Sequence, residues 1–277
     1  MCVKGLRRHK ILFRRETIAT AQPASIILDS APSEKRSTTV LGVIPARLAS
    51  TRLARKVLRT IAGRPMLAWV YEAATACPQL DRVVIATDSD EVAELCRQNN
   101  WPVQLTSADL PSGTDRVHAI AQLIHADIYV NIQGDEPLLK PEHLTALLRP
   151  FAQPQVEVST LKVLCAPENI TNPNAVKVVT AADGRALYFS RATIPYDRDA
   201  RDEASPQYWK HIGLYAYRKS TLQRFPTLPP SALEQTERLE QLRFLENGID
   251  IYVEPTDFDT IGVDTEEDLH RVEALLR

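Results

Sequence analysis

Four cationic side chains, Arg47, Arg52, Arg55 and Lys56, fall within ten positions of the stretch Ile44-Pro45-Ala46-Arg47-Leu48-Ala49-Ser50-Thr51-Arg52-Leu53-Ala54-Arg55-Lys56. The apolar run Val40 to Ile44 precedes them, and a helix-like segment begins at Pro65. A strand that opens into a cationic loop and then a helix is one way to seat a phosphorylated nucleotide. Clustered charge is also commonly a solvated face, and on charge alone both readings stand. A second chemistry lies in carboxylates. Gln133-Gly134-Asp135-Glu136-Pro137 follows the apolar run Ile128 to Ile132, and Gly262-Val263-Asp264-Thr265 follows the last such run. Hard oxygen donors beyond strand ends suit Mg²⁺, which is usually held by one or two carboxylates plus substrate phosphates. Asp beside Gly is equally a turn pair, and Asp264 beside Thr265 equally a helix cap.

Three further groups deserve the same double reading. Ser112-Gly113-Thr114-Asp115-Arg116 opens a helix-compatible run. Its small residues would let backbone amides approach a base or phosphate, and a plain capping segment looks the same. Arg191 and His211 are isolated; a guanidinium suits a carboxylate or phosphate, yet lone residues of this kind are more often structural. Glu234, Glu237, Arg238, Glu240, Gln241 and Arg243 read as one charge-laced helix, mostly surface pairs, with a minority able to face a substrate. No HExxH, GxSxG, GxxxxGK[ST] or GxGxxG occurs, and six histidines without close pairing argue against zinc.

The elements that would position these groups follow from periodicity. Val40 to Ile44, Arg82 to Ala86, Val103 to Leu105 and Ile128 to Ile132 read as buried strands. Helical spacing covers Pro65 to about Ala76, the segment around Val92, Leu95 and Cys96, and Arg116 to Ile124. This alternation predicts a mostly parallel sheet with helices on both faces, and ligands bind beyond the carboxyl ends of such strands. From about Val156 the strands Val158 to Leu164, Ala175 to Val179, Ala186 to Phe189 and Ile212 to Tyr217 follow without intervening helices, which suggests a more antiparallel section. A helix over Leu233 to Glu246, a strand over Ile249 to Val253 and a helix over Thr265 to Leu276, capped by Thr265, complete the chain.

Composition narrows the function classes. The chain has 277 residues and a net charge of −2, which gives no electrostatic reason for bulk nucleic-acid binding. Cys2, Cys77, Cys96 and Cys165 form no CxxC pair, so a reducing, cytoplasmic setting is expected. No apolar run is long enough to span a membrane. Residues 1–38 are Arg-rich and acid-poor at their start, and read as a disordered extension, a misassigned start or an organelle-targeting segment.

Taken together and in order, these segments resemble the CMP-KDO synthetase (3-deoxy-D-manno-octulosonate cytidylyltransferase) family. The resemblance rests on Ile44-Pro45-Ala46-Arg47, Ser50-Thr51-Arg52-Leu53 with Lys56, Ala86-Thr87-Asp88, Ser112-Gly113-Thr114 with Arg116, and Asn131 through Pro137. It continues through Asn172 to Val179, Ala186 to Pro195, His211 with Gly213 and Tyr215, Leu239 to Arg243, and Gly262-Val263-Asp264-Thr265. It implies a Rossmann-like, GT-A-like nucleotidyltransferase fold, with a nucleotide-binding core at about 39–155 and 248–277 and a sugar-binding and dimerisation section at about 156–247. It implies transfer of CMP from CTP to 3-deoxy-D-manno-octulosonate (KDO), for lipopolysaccharide or a related surface glycan, by a homodimer using Mg²⁺. Asp135 and Asp264 would hold the metal, and Arg47, Arg52 and Lys56, with Asp135, would be catalytic. Pro45, Ala46, Arg47, Ser112, Gly113, Thr114 and Gln133 would hold the nucleotide; Arg191, His211, Tyr215, Glu240 and Gln241 would hold the sugar acid. A sibling enzyme for another sugar acid and a non-catalytic relative are the alternatives. The second draws on Ala54-Arg55, which stands where the family places Pro-Gly.

Overall fold

The computed structural model describes residues 38–48, 53–198 and 206–277. The expectations for residues 1–37 and for Arg52 lie outside the described residues. In chain order come β1 (Val40–Pro45), the small hairpin β2 (Thr60–Ile61) and β3 (Arg64–Pro65), α1 (Met66–Thr75), β4 (Arg82–Thr87) and α2 (Asp90–Gln98). Then follow β5 (Val103–Leu105), α3 (Gly113–Leu123), β6 (Ile128–Asn131), α4 (Pro141–Leu148), β7 (Val158–Leu164), β8 (Lys177–Thr180) and β9 (Ala186–Ser190). The long β10 (Trp209–Arg218), α5 (Lys219–Arg224), α6 (Ala232–Glu237), α7 (Leu242–Glu246), β11 (Ile251–Pro255) and α8 (Glu266–Leu276) finish the chain.

β1 lies inside the sheet because both its faces are apolar. Val40 and Ile44 pack with Leu67 and Val70 of α1, Val92 of α2 and Leu144 of α4. Leu41 and Val43 pack on the opposite face with Val117 and Ile120 of α3, Leu222 of α5 and Phe244 of α7. Full burial of such a side chain contributes about 1.5–3 kcal/mol, so a strand covered on two sides is held firmly. A third cluster of Leu53, Ile61, Met66, Val263, Leu269 and Val272 fixes the end of the cationic loop to α8.

The sheet runs β11-β7-β10-β6-β1-β4-β5. Pairings along this path leave six strands pointing one way and β10 reversed. The separate antiparallel section expected from 156 onward is therefore smaller: β7 and β10 belong to the main sheet, and only the β8–β9 hairpin hangs from β10. The helix expected over Leu233 to Glu246 is also corrected. It is two short helices separated at Arg238, which is left-handed at φ 54°. The break has a tertiary cause. Glu237 accepts hydrogen bonds from Ser190 Oγ and Arg191 N, while Leu239 and Leu242 turn into the core.

Candidate active site

Gly134 brings the two chemical loops together. A Cβ placed there would lie 2.8 Å from the Pro45 carbonyl oxygen at the end of β1, so only glycine permits the approach. The contact sets Asp135 against Lys56, whose Nζ donates to Asp135 Oδ2 at 2.5 Å and to Asp264 Oδ1 at 2.8 Å. Asp264 arrives from the other end of the chain, held by a hydrogen bond from Val263 N to Asp135 O of 3.0 Å. Thr265 caps α8 in a reciprocal box with Asp268, which leaves the Asp264 carboxylate facing the lysine. Burial alone would depress the Lys56 ammonium, but Asp135 and Asp264 outweigh it and lift its pKa above the ordinary lysine value.

Two carboxylates converging on one cationic point also fit Mg²⁺ by donor chemistry. Among the described residues no group of three or more His, Cys, Asp or Glu side chains assembles to hold a metal. The protein would thus supply two oxygens' worth of ligation and leave the rest to phosphate and water, as magnesium prefers.

The neighbouring backbone is already partly used. The Ala46 amide donates to Ala86 O at 2.9 Å, and its carbonyl accepts from Thr87 Oγ1 at 2.6 Å. Pro45 has no N–H, so neither Pro45 nor Ala46 has an amide proton left over. Arg47 Nη2 donates to Leu110 O at 2.5 Å, which ties this loop to the segment before α3. Ser112 is the N-cap of α3, accepting from Asp115 N at 3.1 Å and donating to Asp115 Oδ2 at 2.7 Å.

Beyond β6 and β10 lies an open cavity of about 230 Å³. Gly113, Thr114 and Gln133 line it together with His211, Tyr215, Glu240 and Gln241, so residues expected to hold nucleotide and sugar share one wall. Asn131, Gly213 and Leu239 complete the lining and were not expected there. A polar residue closing the apolar run Ile128-Tyr129-Val130 was the available signal for Asn131. Glu240 faces inward because of the break at Arg238; its carboxyl accepts from the Thr114 hydroxyl, and burial raises its pKa. Burial likewise drives the Tyr215 phenol far above the usual range.

Two of the expected sugar ligands behave differently. His211 is buried, and desolvation, with the nearby Lys210 charge, pushes its pKa down to about 3. Its Nε2 lies 2.9 Å from Thr160 Oγ1, which lies 3.1 and 2.8 Å from the carbonyls of Ile212 and Leu214. Thr160 has one proton to give and gives it to a carbonyl, so His211 Nε2 is the donor and Nδ1 is bare. His211 is therefore a neutral ring and not a cation for a carboxylate. Arg191 does not line the cavity: its guanidinium donates to the carbonyls of Glu237 at 2.7 Å, Pro173 at 3.0 Å and Arg238 at 3.4 Å. Lys177, fully buried, clamps the same corner by donating to the carbonyls of Asn172, Ala175 and Arg191. Among the described residues lining the cavity there is no cation.

The family model described as cytidylyltransferase matches residues 41–251. A 3-deoxy-manno-octulosonate cytidylyltransferase from Acidobacterium capsulatum is 68% identical over 240 residues, which is 87% of this chain and 97% of that protein. One from Koribacter versatilis is 60% identical over 237 residues, 86% of this chain and 90% of the relative. The chain belongs to the 3-deoxy-manno-octulosonate cytidylyltransferase family. A solved CMP:2-keto-3-deoxy-manno-octonic acid synthetase, complexed with CTP, superposes with a TM-score of 0.82 at 39% identity, covering 86% of this chain and 98% of that one. A 4-diphosphocytidyl-2C-methyl-D-erythritol synthase from Anaerococcus prevotii shares the fold alone, at 13% identity and a TM-score of 0.59, with 86% and 96% covered.

Within this cytidylyltransferase the departure at Ala54-Arg55 is accommodated. Arg55 adopts φ 55° and ψ 34°, the left-handed conformation that a glycine would take freely. Its guanidinium turns outward to pair with Glu91 of α2. The added charge thus projects onto the surface.

Proposed function

We propose that the chain transfers CMP from CTP to KDO with the triphosphate over Lys56, Asp135 and Asp264 and the sugar acid in the adjoining cavity. One observation carries this placement: Asp135 and Asp264, far apart in sequence, meet on Lys56, and Asp135 stands two residues along from Gln133 on the cavity wall. The anomeric hydroxyl attacks the α-phosphorus, forming a new P–O bond as the α–β bridging P–O bond breaks and pyrophosphate leaves. Such chemistry is mainly positioning and charge neutralisation. Lys56 and Arg47 face the phosphate charge, and Arg52 keeps this role from the resemblance alone. Mg²⁺, held by Asp135 and Asp264, would neutralise further charge and lower the pKa of the attacking hydroxyl. With no cation on its lining, the cavity would meet the sugar acid with neutral groups, the amides of Gln133 and Gln241 and the phenol of Tyr215.

The same reading includes a homodimer, a cytoplasmic setting and a product used for lipopolysaccharide or a related surface glycan. Exposed Leu164 and Leu187, on β7 and β9, would be covered in a dimer. Buried free thiols at Cys77, Cys96 and Cys165 suit a reducing compartment, and no described helix is long and apolar enough to cross a membrane. The outward turn of Arg55 toward Glu91, away from the Lys56 carboxylates, supports the catalytic reading over a non-catalytic relative.

The test is pyrophosphate release from CTP, Mg²⁺ and KDO, set against other nucleoside triphosphates and against sialic acid. Release with CTP and KDO is expected, and none with any pair would overturn the enzyme reading. Asp135→Ala should abolish turnover while unfolding at a temperature near that of the wild type. Wild-type turnover in that variant would sink the metal assignment.

A further inference from the structure

Behind the cavity wall runs a chain of hydrogen bonds whose direction follows from its terminus. The Glu240 carboxylate accepts from the Thr114 hydroxyl. A hydroxyl owns a single proton, so Thr114, having donated, can only accept from the Tyr217 hydroxyl 3.4 Å away. Tyr217 has then spent its own proton, so toward the neighbouring Asn131 side chain its oxygen can only be an acceptor. An ionised carboxylate only accepts, so with Glu240 charged the order runs one way. Asn131 must turn Nδ2 toward Tyr217, which fixes an amide orientation that geometry alone leaves open. Its Oδ1 is thereby committed to the opposite side.

That oxygen has no partner. Asn131 is 2% exposed, lines the cavity, and its Oδ1 is buried without a hydrogen bond. On the same lining Gln241 is 7% exposed, and its Nε2 is likewise buried and unbonded. The Tyr215 hydroxyl on the same lining is also buried and unbonded. An orphan acceptor, an orphan donor and an orphan hydroxyl around one open cavity ask for a ligand that both gives and takes hydrogen bonds, as a polyol does.

We infer that Asn131 is a specificity-determining residue, whose Oδ1 is locked as an acceptor for one hydroxyl of the sugar acid by the one-way relay through Tyr217 and Thr114 to Glu240. Gln241 Nε2 donates to a sugar oxygen in the same cavity. The inference rests on the reading that the sugar acid occupies this cavity. Tyr217 touches no substrate and acts as a positioning residue. A sugar lacking the matched hydroxyl would leave Oδ1 buried and unpaired, at the cost of a desolvated acceptor.

The test is steady-state kinetics of the full chain on KDO and a series of analogues, each lacking one hydroxyl. The wild type should lose about 10–100-fold in kcat/KM on the matched analogue. Asn131→Leu should lose a similar factor on KDO itself, stop distinguishing KDO from that analogue to within about twofold, and keep its KM for CTP. Tyr217→Phe frees the amide to rotate, and should raise the KM for KDO with partial loss of the same selectivity and little change in the KM for CTP. Should Asn131→Leu fail to fold, Tyr217→Phe carries the test. Wild-type discrimination in the variants, or an equal loss on every analogue, would overturn the inference. The underlying reading fails separately: Gln241→Ala and His211→Ala would then leave the KM for KDO unaltered. If those two raise it while Asn131→Leu discriminates normally, the inference alone falls.

Discussion

Gly134→Ala isolates the contact that aligns the two halves of the phosphate site. The new Cβ would lie 2.8 Å from Pro45 O, where ordinary contact begins near 3.4 Å, so something must give by about 0.6 Å. Pro45 O is backbone at the end of a strand paired there with β4, and it cannot rotate away as a side chain could. The displacement falls on the loop that carries Asp135, whose bond to Lys56 is 2.5 Å long. A misplacement of about 1 Å can cost about 100-fold in rate, so a loss on the order of 10–100-fold in kcat is expected. Overpacking should also cost about 1–3 kcal/mol of stability. Pyrophosphate release and thermal unfolding, measured on one preparation, separate the two effects. Gly262→Ala is the control, because Gly262 stands two residues before Asp264 and an added Cβ there meets nothing within 4 Å. Gly134→Ala turning over within about twofold of the wild type would refute the claim that this glycine sets the carboxylate.

Two other outcomes follow from local chemistry. Unfolded His211 takes a proton near its ordinary pKa of 6.5, whereas the folded ring waits until about 3. Its contribution is therefore complete above about pH 6.5 and lost as pH falls, by about 1.4 kcal/mol per unit, or about 2 kcal/mol by pH 5. Denaturant unfolding at two pH values should show that extra acid sensitivity in the wild type and not in His211→Asn; identical profiles would refute it. Arg55→Gly relieves a left-handed side chain and removes an exposed ion pair, effects that oppose one another. Stability should shift by less than about 1 kcal/mol and turnover by less than about twofold, and a tenfold change in turnover would show that this loop governs the rate.

The parallel core was legible because its strands are buried on two faces. Val40 to Ile44 carries no polar side chain and Val158 to Leu164 is rich in Val and Leu, and their predicted bounds differ from the structure by at most one residue. Asp135 and Asp264 were legible as carboxylates beyond strand ends, and both reach Lys56. The break at Arg238 was not, since the charge pattern of Glu234 to Arg243 is compatible with one helix. What ends α6 is Glu237 being claimed by Ser190 and Arg191, from a hairpin distant in sequence. That break turns Glu240 and Gln241 inward. The neutrality of His211 and the capture of Arg191 by carbonyls were equally hidden, because both depend on burial and on partners that residue type does not reveal. The short helix α4, opening at Pro141, also escaped sequence reading.

The reversed strand β10 divides its labour by parity. Ile212, Leu214 and Ala216 join the core on one face. His211, Gly213 and Tyr215 border the cavity on the other, with Tyr217 directly behind it. The odd face is not free of the fold, because Tyr215 and Tyr217 also belong to the second core cluster. On one ten-residue strand the even positions answer to stability alone, and the odd ones answer to the cavity and the core together. A lineage that admits a different sugar acid has more latitude at His211 and Gly213 than at the two tyrosines, where a change of preference is also a change of packing.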